Sequence, residues 1–346
     1  MSGWPDRRFA ALLGSRLPIV AAPMAGAAGV ELAVAATEGG AVGSLPCALL
    51  TAEEVRAQVA AVRARCAGPL NLNFFCHLMP QDADDSAWRR LLGPLYEEHG
   101  APAAAASAPL RRPFDAAMCD MVEEVGPELV SFHFGLPDED LLERVRRTGA
   151  RILGNATTVA EARWLATRGV DAIIAQGWEA GGHVGHFLGA PPEEQMGLFA
   201  LVPQIVDAVD VPVIAAGGIA DARGIAAALT LGAAAAQLGT AYLHCPESVI
   251  GAGHRAALAG EAAERTAFTN LYSGGLARGL ATPLTDRLGR VRPDVPPFPL
   301  ASAALAPLGL KPLWAGQAAR LGSPEPARAL TERLGREALA RLRQKA

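Results

Sequence analysis

Short apolar runs alternate with longer stretches of helical periodicity along most of the chain. Eight runs have the length and the Val, Ile, Leu and Ala content of buried strands: 18–24, 41–45, 70–75, 129–134, 151–155, 172–176, 212–216 and 235–239. Charged residues recur at helical spacing between them, for example over 53–65, 139–147 and 158–168. Strands that alternate with helices indicate parallel βαβ units, and eight such units close a barrel. The pattern therefore predicts an α/β fold of the TIM (β/α)8 class.

The composition agrees with a sheet that is covered on both faces. Hydrophobic residues make up 51% of the 346 residues and charged residues only 19%, below the roughly 25% of ordinary globular chains. The net charge of −4 indicates no basic face, so nucleic acid is not an expected partner. The sequence leaves the oligomeric state open.

Two regions interrupt the alternation and predict additions to the barrel. Segment 77–112 is too long for a connection between the third and fourth strands, and it contains an Ala/Pro-rich tract at 101–109. We expect an insertion there with a helix of its own. After the eighth strand, the Gly- and Pro-rich segment 246–312 predicts a small cap subdomain. We therefore divide the chain into a barrel (1–245), this cap, and a helical C-terminal segment (313–346) that packs on the barrel.

The cysteines and the chain start favour a cytoplasmic protein. Five cysteines are scattered without a C-x-x-C pair, which predicts neither a disulfide framework nor a metal site. The first nine residues carry charges and a proline instead of an apolar signal segment. Segment 224–245 is long and apolar, but its polar and glycine interruptions predict a buried helix and strand and not a membrane span.

Glycines follow the last two predicted strands, where a phosphate site is common in this fold. Gly217 and Gly218 follow the seventh strand, and the eighth ends in Gln237-Leu238-Gly239-Thr240. Glycine lets the backbone approach a ligand closely, and amide groups at a helix start attract an anion. The alternative is that these glycines only form tight turns. We predict a phosphate-binding end of the site at these residues.

The segment after the sixth strand, 176–186, reads QGWEAGGHVGH and is rich in glycine. Its glycines allow backbone angles that place His183 over a bound ring, where an imidazole holds an anionic substrate or acts as a base. One alternative is a loop histidine without a role. Another is a metal site of Glu179, His183 and His186, but their spacing matches no compact metal motif.

Further side chains at strand ends suit a flat, phosphate-tailed cofactor. Met24 follows the first strand and offers a soft apolar contact to a ring. The amides of Asn73, Gln176 and Gln237 are suited to the polar edge of such a ring. His133, at the end of the fourth strand, is a candidate for the substrate side.

Several strings in this sequence together resemble one known family, the nitronate monooxygenases, from about residue 17 to residue 320. They are APMAG at 22–26, NLNFF at 71–75, QG-x-EAGGH at 176–183, AAGGI at 215–219, QLGT at 237–240, ARG at 277–279 and LWAGQ at 313–317. The resemblance implies FMN as cofactor, with O2 and an anionic alkyl nitronate of the propionate 3-nitronate type as substrates. The products would be a carbonyl compound and nitrite or nitrate. It also implies that His183 is catalytic.

The matching positions imply an FMN site. They are Asn73, Gln176, Gly181, Gly218 and the stretch Gln237, Leu238, Gly239 and Thr240. We add Met24 and Gly217 from the reasoning on strand ends.

One departure keeps a second activity open. The family often has arginine after the histidine, whereas this chain has Val184. An aliphatic residue at that place is similar to FMN-dependent reductases of the enoyl-acyl-carrier-protein type, so an NAD(P)H reductase for enoyl thioesters or quinones is the alternative. A third class is a phosphate-ligand barrel without flavin, such as a lyase or a non-catalytic binding protein. A lyase usually presents a lysine or paired carboxylates at strand ends, and the two lysines here, Lys311 and Lys345, follow no predicted strand.

Overall fold

A closed parallel barrel forms the centre of the computed structural model, which describes residues 3–81, 84–102, 110–189 and 194–344. Its strands are β1 (Ile19–Ala21), β2 (Gly43–Pro46), β3 (Leu70–Phe75), β4 (Leu129–His133), β5 (Arg151–Ala156), β6 (Ala172–Gln176), β8 (Val213–Ala216) and β9 (Ala235–Leu238). They pair in parallel in the order β1-β9-β8-β6-β5-β4-β3-β2. A parallel bridge between Val20 and Val42 joins the two edge strands, and Ala21 N donates to Val42 O at 2.9 Å. The predicted barrel is confirmed.

Helices connect the barrel strands and continue beyond them. In chain order they are α1 (Arg8–Leu13), α2 (Val30–Gly39), α3 (Ala52–Arg63), α4 (Ser86–Glu98), α5 (Ala116–Val125), α6 (Glu139–Arg147), α7 (Val159–Thr167), α8 (Leu198–Val206), α9 (Ala222–Thr230), α10 (Thr240–Leu243), α11 (Ala252–Ala259), α12 (Pro283–Leu288), α13 (Ala301–Leu305) and α14 (Ala327–Arg343). Local signals explain several of their ends. Thr51 and Glu54 form a capping box at the start of α3, and Gly40 ends α2 with a φ of 104°.

The apolar runs become fully buried strands because helices cover the outside of the barrel and side chains fill its inside. Every residue of β3 and of β6 is buried. The segment 224–245 contributes part of α9, then β9 and α10, in agreement with the sequence prediction. Within the described residues, no helix has both the length and the hydropathy needed to cross a membrane.

The C-terminal helix α14 packs against α2 and α9, beside the strands that close the barrel. Its approach is close, because a Cβ atom on Gly39 would lie 2.6 Å from Thr331 Cβ, and one on Gly335 would lie 2.6 Å from Leu17 Cδ1. The buried hydroxyls of Tyr242 and Thr331 lie 2.7 Å apart. Helix α14 therefore holds the first and last βα units together.

Helix α4, in the segment between β3 and β4, packs on residues that follow the barrel. The indole N–H of Trp88 donates to Ala301 O at 3.3 Å, and the hydroxyl of Tyr96 donates to Ala304 O at 2.7 Å. Both side chains belong to an apolar cluster, which we call the outer cluster: Trp88, Leu92, Leu95, Tyr96, Leu271, Tyr272, Leu284, Val295, Ala301, Ala304, Leu305 and Leu308. Most of the Ala/Pro-rich tract lies outside the described residues, at 103–109.

A second, three-stranded sheet lies at the barrel mouth, and the sequence did not predict it. Strands β10 (Thr266–Thr269) and β11 (Ala277–Leu280) are antiparallel, and β11 also pairs with β7 (Gly182–His183). In this register Ala277 faces His183 and Arg278 faces Gly182. The glycine-rich segment after β6 is thereby anchored to a part of the chain about 90 residues further on.

Candidate active site

A cavity of about 640 Å³ opens at the carboxyl ends of the barrel strands. That volume is typical of a site for a cofactor or a drug-sized ligand. It gathers most of the predicted site residues in its wall: Met24, Asn73, His133, Gln176, Gly181, His183, Gly217, Gly218, Gln237, Gly239 and Thr240. Leu238 is the exception, because it is absent from the wall and its fully buried side chain belongs to the main apolar core.

One end of the cavity is lined by backbone. Gly217 and Gly218 have φ values of 116° and 67°, in the left-handed region that favours glycine. A Cβ atom on Gly217 would lie 3.0 Å from Ala180 N, and one on Gly181 would lie 2.5 Å from Gly316 N. The three chain segments thus meet at distances that leave no room for a side chain. The hydroxyl oxygen of Thr240 accepts from Gly316 N at 2.9 Å, and its hydrogen remains free to donate.

The middle of the cavity presents amide groups. Asn73 is held by its Nδ2, which donates to Ser131 Oγ at 2.9 Å. The Oε1 atom of Gln237 is buried and has no hydrogen-bond partner in the described part of the chain. A buried acceptor of this kind is costly unless a ligand supplies a donor. The arrangement suits a planar ligand with an N–H group at its edge.

Gln176 contacts the segment after its own strand. Its Oε1 accepts from Gly185 N at 2.8 Å and from Asn155 Nδ2 at 3.1 Å, and its Nε2 donates to His183 O at 2.8 Å. The close fit requires glycine at 185, because a Cβ atom there would lie 2.2 Å from Asn155 Nδ2. Gln176 therefore fixes the backbone that carries His183.

His183 is the most buried titratable side chain in the cavity wall, with 8% of its surface exposed. Its Nε2 lies 2.8 Å from Ser273 Oγ, and the Ser273 hydroxyl donates to Gly275 O at 3.3 Å. Since that hydroxyl proton is directed to Gly275, Ser273 Oγ acts as acceptor for His183 Nε2–H. This assigns the Nε2–H tautomer and leaves the lone pair on Nδ1.

Burial is the main reason why the pKa of His183 lies well below its usual value, and the positive charge of Arg111 adds to the effect. His133 and His77 lower it further. The pKa of His133 itself is lowered to about 4, again chiefly by burial. Both imidazoles are therefore neutral at pH 7.

Aromatic rings surround His183, and two of them, Phe75 and Trp314, also line the cavity. Their centroids lie 5.0 Å (Phe298), 5.6 Å (Trp314), 6.2 Å (Phe75) and 6.3 Å (Phe134) from that of His183. We call Phe75, Phe134, Phe298 and Trp314 the aromatic wall. Phe134 has a φ of 67°, an uncommon conformation for a bulky residue, at the end of β4. The aromatic wall keeps water from the imidazole.

Sequence reasoning missed several residues of this site. Arg111 enters the cavity wall from the segment before β4, and Lys311 and His254 enter it from the region after β9. Ser273 and Phe298 also come from that region. It shows no alternation of strands and helices from which the positions of its side chains could be predicted. Trp314 lay in a string that resembled the family, and that was its only signal.

The metal alternative has no support from Glu179. Both of its carboxylate oxygens accept from Leu198 N, at 3.0 and 2.9 Å, so they bind backbone. Over the described ranges, no group of three or more His, Cys, Asp or Glu side chains has an arrangement that could hold a metal ion.

Fold and site together define a class of protein, a (β/α)8-barrel enzyme whose cavity joins a glycine-lined end to a neutral, buried histidine. The chain belongs to the nitronate monooxygenase family, whose sequence model matches residues 7–337. The resemblance seen in the sequence strings is thus confirmed. The family consists of oxidoreductases that are generally flavin-dependent.

Individual relatives agree with this assignment over nearly the whole chain. The nitronate monooxygenase of Paraburkholderia phytofirmans is 42% identical over 96% of this chain and 94% of its own length. That of Pseudomonas aeruginosa is 41% identical over 95% and 98%. Among solved structures, the nitroalkane oxidase of Streptomyces ansochromogenes superposes with a TM-score of 0.89, at 34% identity over 98% and 99% of the two chains.

Proposed function

We propose that this protein is an FMN-dependent nitronate monooxygenase that oxidises alkyl nitronates of the propionate 3-nitronate type with O2. The products are a carbonyl compound and nitrite or nitrate. The observation that carries the proposal is one cavity that joins the glycine-lined end to His183 behind the aromatic wall. The family membership supports it.

The residues present fit FMN. Gly217, Gly218, Gly239 and Thr240 would hold the phosphate, because backbone amides and one hydroxyl line that end without side chains in the way. Met24, Asn73 and Gln237 would contact the ring, and the unpartnered Oε1 of Gln237 would accept from a ring N–H. When bound, FMN supplies a site that accepts electrons from the substrate and passes them to O2.

His183 would bind the nitronate next to the ring. A nitronate has already lost its carbon proton, so His183 is not required as a base. An anion beside the imidazole raises the pKa of His183, since it favours the charged form, and Nδ1 then donates to a nitronate oxygen. Ser273 and Gln176 keep the imidazole in this orientation, and the aromatic wall excludes water, which strengthens the interaction.

Neutral nitroalkanes are a second candidate substrate class. The observation that favours them is the neutral imidazole of His183 with a free lone pair on Nδ1, which can accept the proton from the carbon next to the nitro group.

The NAD(P)H reductase alternative receives less support. The named relatives are nitronate monooxygenases at 41–42% identity, and the solved nitroalkane oxidase superposes over nearly the full chain. Val184, the residue that suggested the alternative, has a buried side chain.

The test is an anaerobic titration of the purified holoprotein, followed by its flavin absorbance. Propionate 3-nitronate, 1-nitropropane, NADH and NADPH are added to separate samples. We expect the nitronate to reduce the flavin and the pyridine nucleotides to leave it oxidised. His183→Asn, with unchanged flavin content, should slow reduction at least about 100-fold. Reduction by NADH or NADPH alone would establish the reductase, and a protein that takes up no FMN would favour the lyase class.

We further propose a cytoplasmic location, which the five free cysteines support. The division into a barrel (1–245), a cap (246–312) and a C-terminal segment (313–346) is also a proposal. The packing of α14 on α2 and α9 supports the last of these.

A further inference from the structure

Arg111 is a cation of the cavity wall, and the described part of the chain gives it no anionic partner. Its side chain lines the wall, and its Nε is buried without a hydrogen-bond partner. Over the described ranges, Arg111 forms no ion pair. Arginines on the surface of the same chain behave differently, since Arg144 contacts Asp120 and Glu123, and Arg292 contacts Asp294.

A buried guanidinium without a counter-ion destabilises a protein unless a ligand pairs with it. Burial lowers the pKa of Arg111 to about 10, so the group still carries its charge at pH 7. The described cavity wall contains no aspartate or glutamate, and its second cation is Lys311, which is exposed to solvent. The described cavity wall therefore carries a net positive charge, which favours the binding of an anion.

Arg111 lies on the histidine side of the cavity. Two residues after it, Pro113 forms a β-bridge with Phe75 of the aromatic wall, and Phe114 N donates to Phe75 O at 2.7 Å. The positive charge of Arg111 accordingly lowers the pKa of both His183 and His77. His77 supplies no charge that could pair with Arg111, because burial lowers its pKa to about 4 and leaves it neutral at pH 7. The described residues around Arg111 thus contribute no negative charge, and a bound anion would supply the missing partner.

We propose that Arg111 binds a carboxylate at the far end of the substrate and so makes the enzyme selective for nitronates that carry a second negative charge. The proposal rests on the function proposed above, in which His183 receives the nitronate group. A guanidinium is suited to this task, since its planar fork pairs with both oxygens of a carboxylate. A nitronate whose alkyl group carries no carboxylate leaves Arg111 unpaired in the complex, at the cost of an unsatisfied buried cation.

The kinetic test compares propionate 3-nitronate with propyl-1-nitronate in the wild type, Arg111→Gln and Arg111→Lys. In Arg111→Gln we expect the ratio of the two kcat/KM values to fall about 10- to 100-fold, mainly through the KM of the carboxylated substrate. Arg111→Lys should retain part of the preference. The matched control is Arg112→Gln, which removes a neighbouring exposed arginine and should leave the ratio unchanged.

An unchanged ratio in Arg111→Gln would overturn the proposal. An equal loss with both substrates would also overturn it, because Arg111 would then bind the nitronate group itself. Flavin content is measured for each variant, and Arg111→Lys provides the result if the glutamine variant does not fold.

A binding experiment separates this inference from the proposed function. Succinate has the charges and length of propionate 3-nitronate, and butyrate matches propyl-1-nitronate, but neither can be oxidised as a nitronate. Calorimetry on the wild-type holoenzyme should show tighter binding of succinate, and Arg111→Gln should abolish the difference. If neither nitronate is oxidised while this dependence on Arg111 persists, the proposed function fails and the carboxylate site stands. If nitronates are oxidised and both acids bind Arg111→Gln as they bind the wild type, the inference fails alone.

Discussion

The Nε2 atom of His183 and the Oγ atom of Ser273 lie 2.8 Å apart, although 90 positions separate the two residues in the chain. Ser273 in turn donates to Gly275 O, so the serine accepts from the imidazole and determines which nitrogen carries the proton. A residue outside the barrel thus determines that Nδ1, and not Nε2, is the imidazole nitrogen available to a substrate.

Replacement of Ser273 by alanine removes this acceptor and leaves a buried N–H unsatisfied. We expect the kcat/KM for a nitronate to fall about tenfold, which corresponds to roughly 1–2 kcal/mol, because the imidazole loses its orientation. Steady-state oxygen consumption gives the value, with flavin content as a check on folding. Ser302→Ala is the control, since Ser302 donates to Pro299 O and is absent from the cavity wall. Equal activities of the two variants would show that Ser273 does not orient His183.

The buried histidines make the fold sensitive to mild acid. The pKa values of His77 and His133 are lowered to about 4, whereas an unfolded histidine has a pKa near 6.5. Between these values the unfolded state binds protons that the folded state excludes, so stability is lost as the pH falls below about 6.5. We expect the Tm to decrease from pH 7 to pH 5, and less steeply in His77→Gln. If the Tm falls equally with pH in the variant and the wild type, the proposed contribution of His77 to acid sensitivity is wrong.

Gly185→Ala tests the close packing of the segment after His183 against Asn155 and His133. A Cβ atom would lie 2.2 Å from Asn155 Nδ2 and 2.5 Å from His133 Cε1, so the segment has to move and the hydrogen bonds of Gln176 break. We expect activity to fall at least about tenfold, because a displacement near 1 Å at a catalytic group has effects of that order or more. Gly93→Ala is the control, since no atom lies within 4 Å of its Cβ position in α4 and alanine favours helix. It should keep full activity.

Trp88→Ala tests whether the outer cluster joins α4 to the region after the barrel. The indole is fully buried, and its loss should lower the free energy of unfolding by about 3–5 kcal/mol. We expect faster proteolytic cleavage within 77–112 and 283–310, followed by mass spectrometry, before the barrel itself is cut. Phe199→Ala is the control, because it removes an aromatic ring that is 76% exposed. It should change neither the free energy of unfolding nor the rate of cleavage.

The barrel could be predicted from the sequence because its strands are buried on both faces and therefore appear as continuous apolar runs. Segments 70–75 and 172–176 coincide with β3 and β6, and 139–147 coincides with α6. Strand ends then located the glycines and His183, since the carboxyl ends of parallel strands meet at one mouth. The apolar runs and the rule that parallel strands end at one mouth were therefore sufficient to predict the barrel and these site residues.

The remaining part of the site depends on contacts between distant segments. Arg111, Ser273 and Phe298 lie outside barrel strands, and no periodicity indicates where their side chains point. Gln176 lines the cavity, and its role as a ring contact stays a prediction. That its amide also binds the backbone at His183 and Gly185 is a contact that only the tertiary structure reveals. Leu238 lay in a string that resembled the family, but alternation along β9 directs its side chain into the core.

The pairing of β7 with β11 has a consequence for synthesis on the ribosome. The barrel strands are complete once Leu238 has been made, but Ala277, opposite His183, and Trp314, beside it, emerge later. A nascent chain that ends before them contains every barrel strand but still lacks the neighbours that orient the histidine. Catalytic competence is therefore acquired late in translation, after the barrel strands are in place.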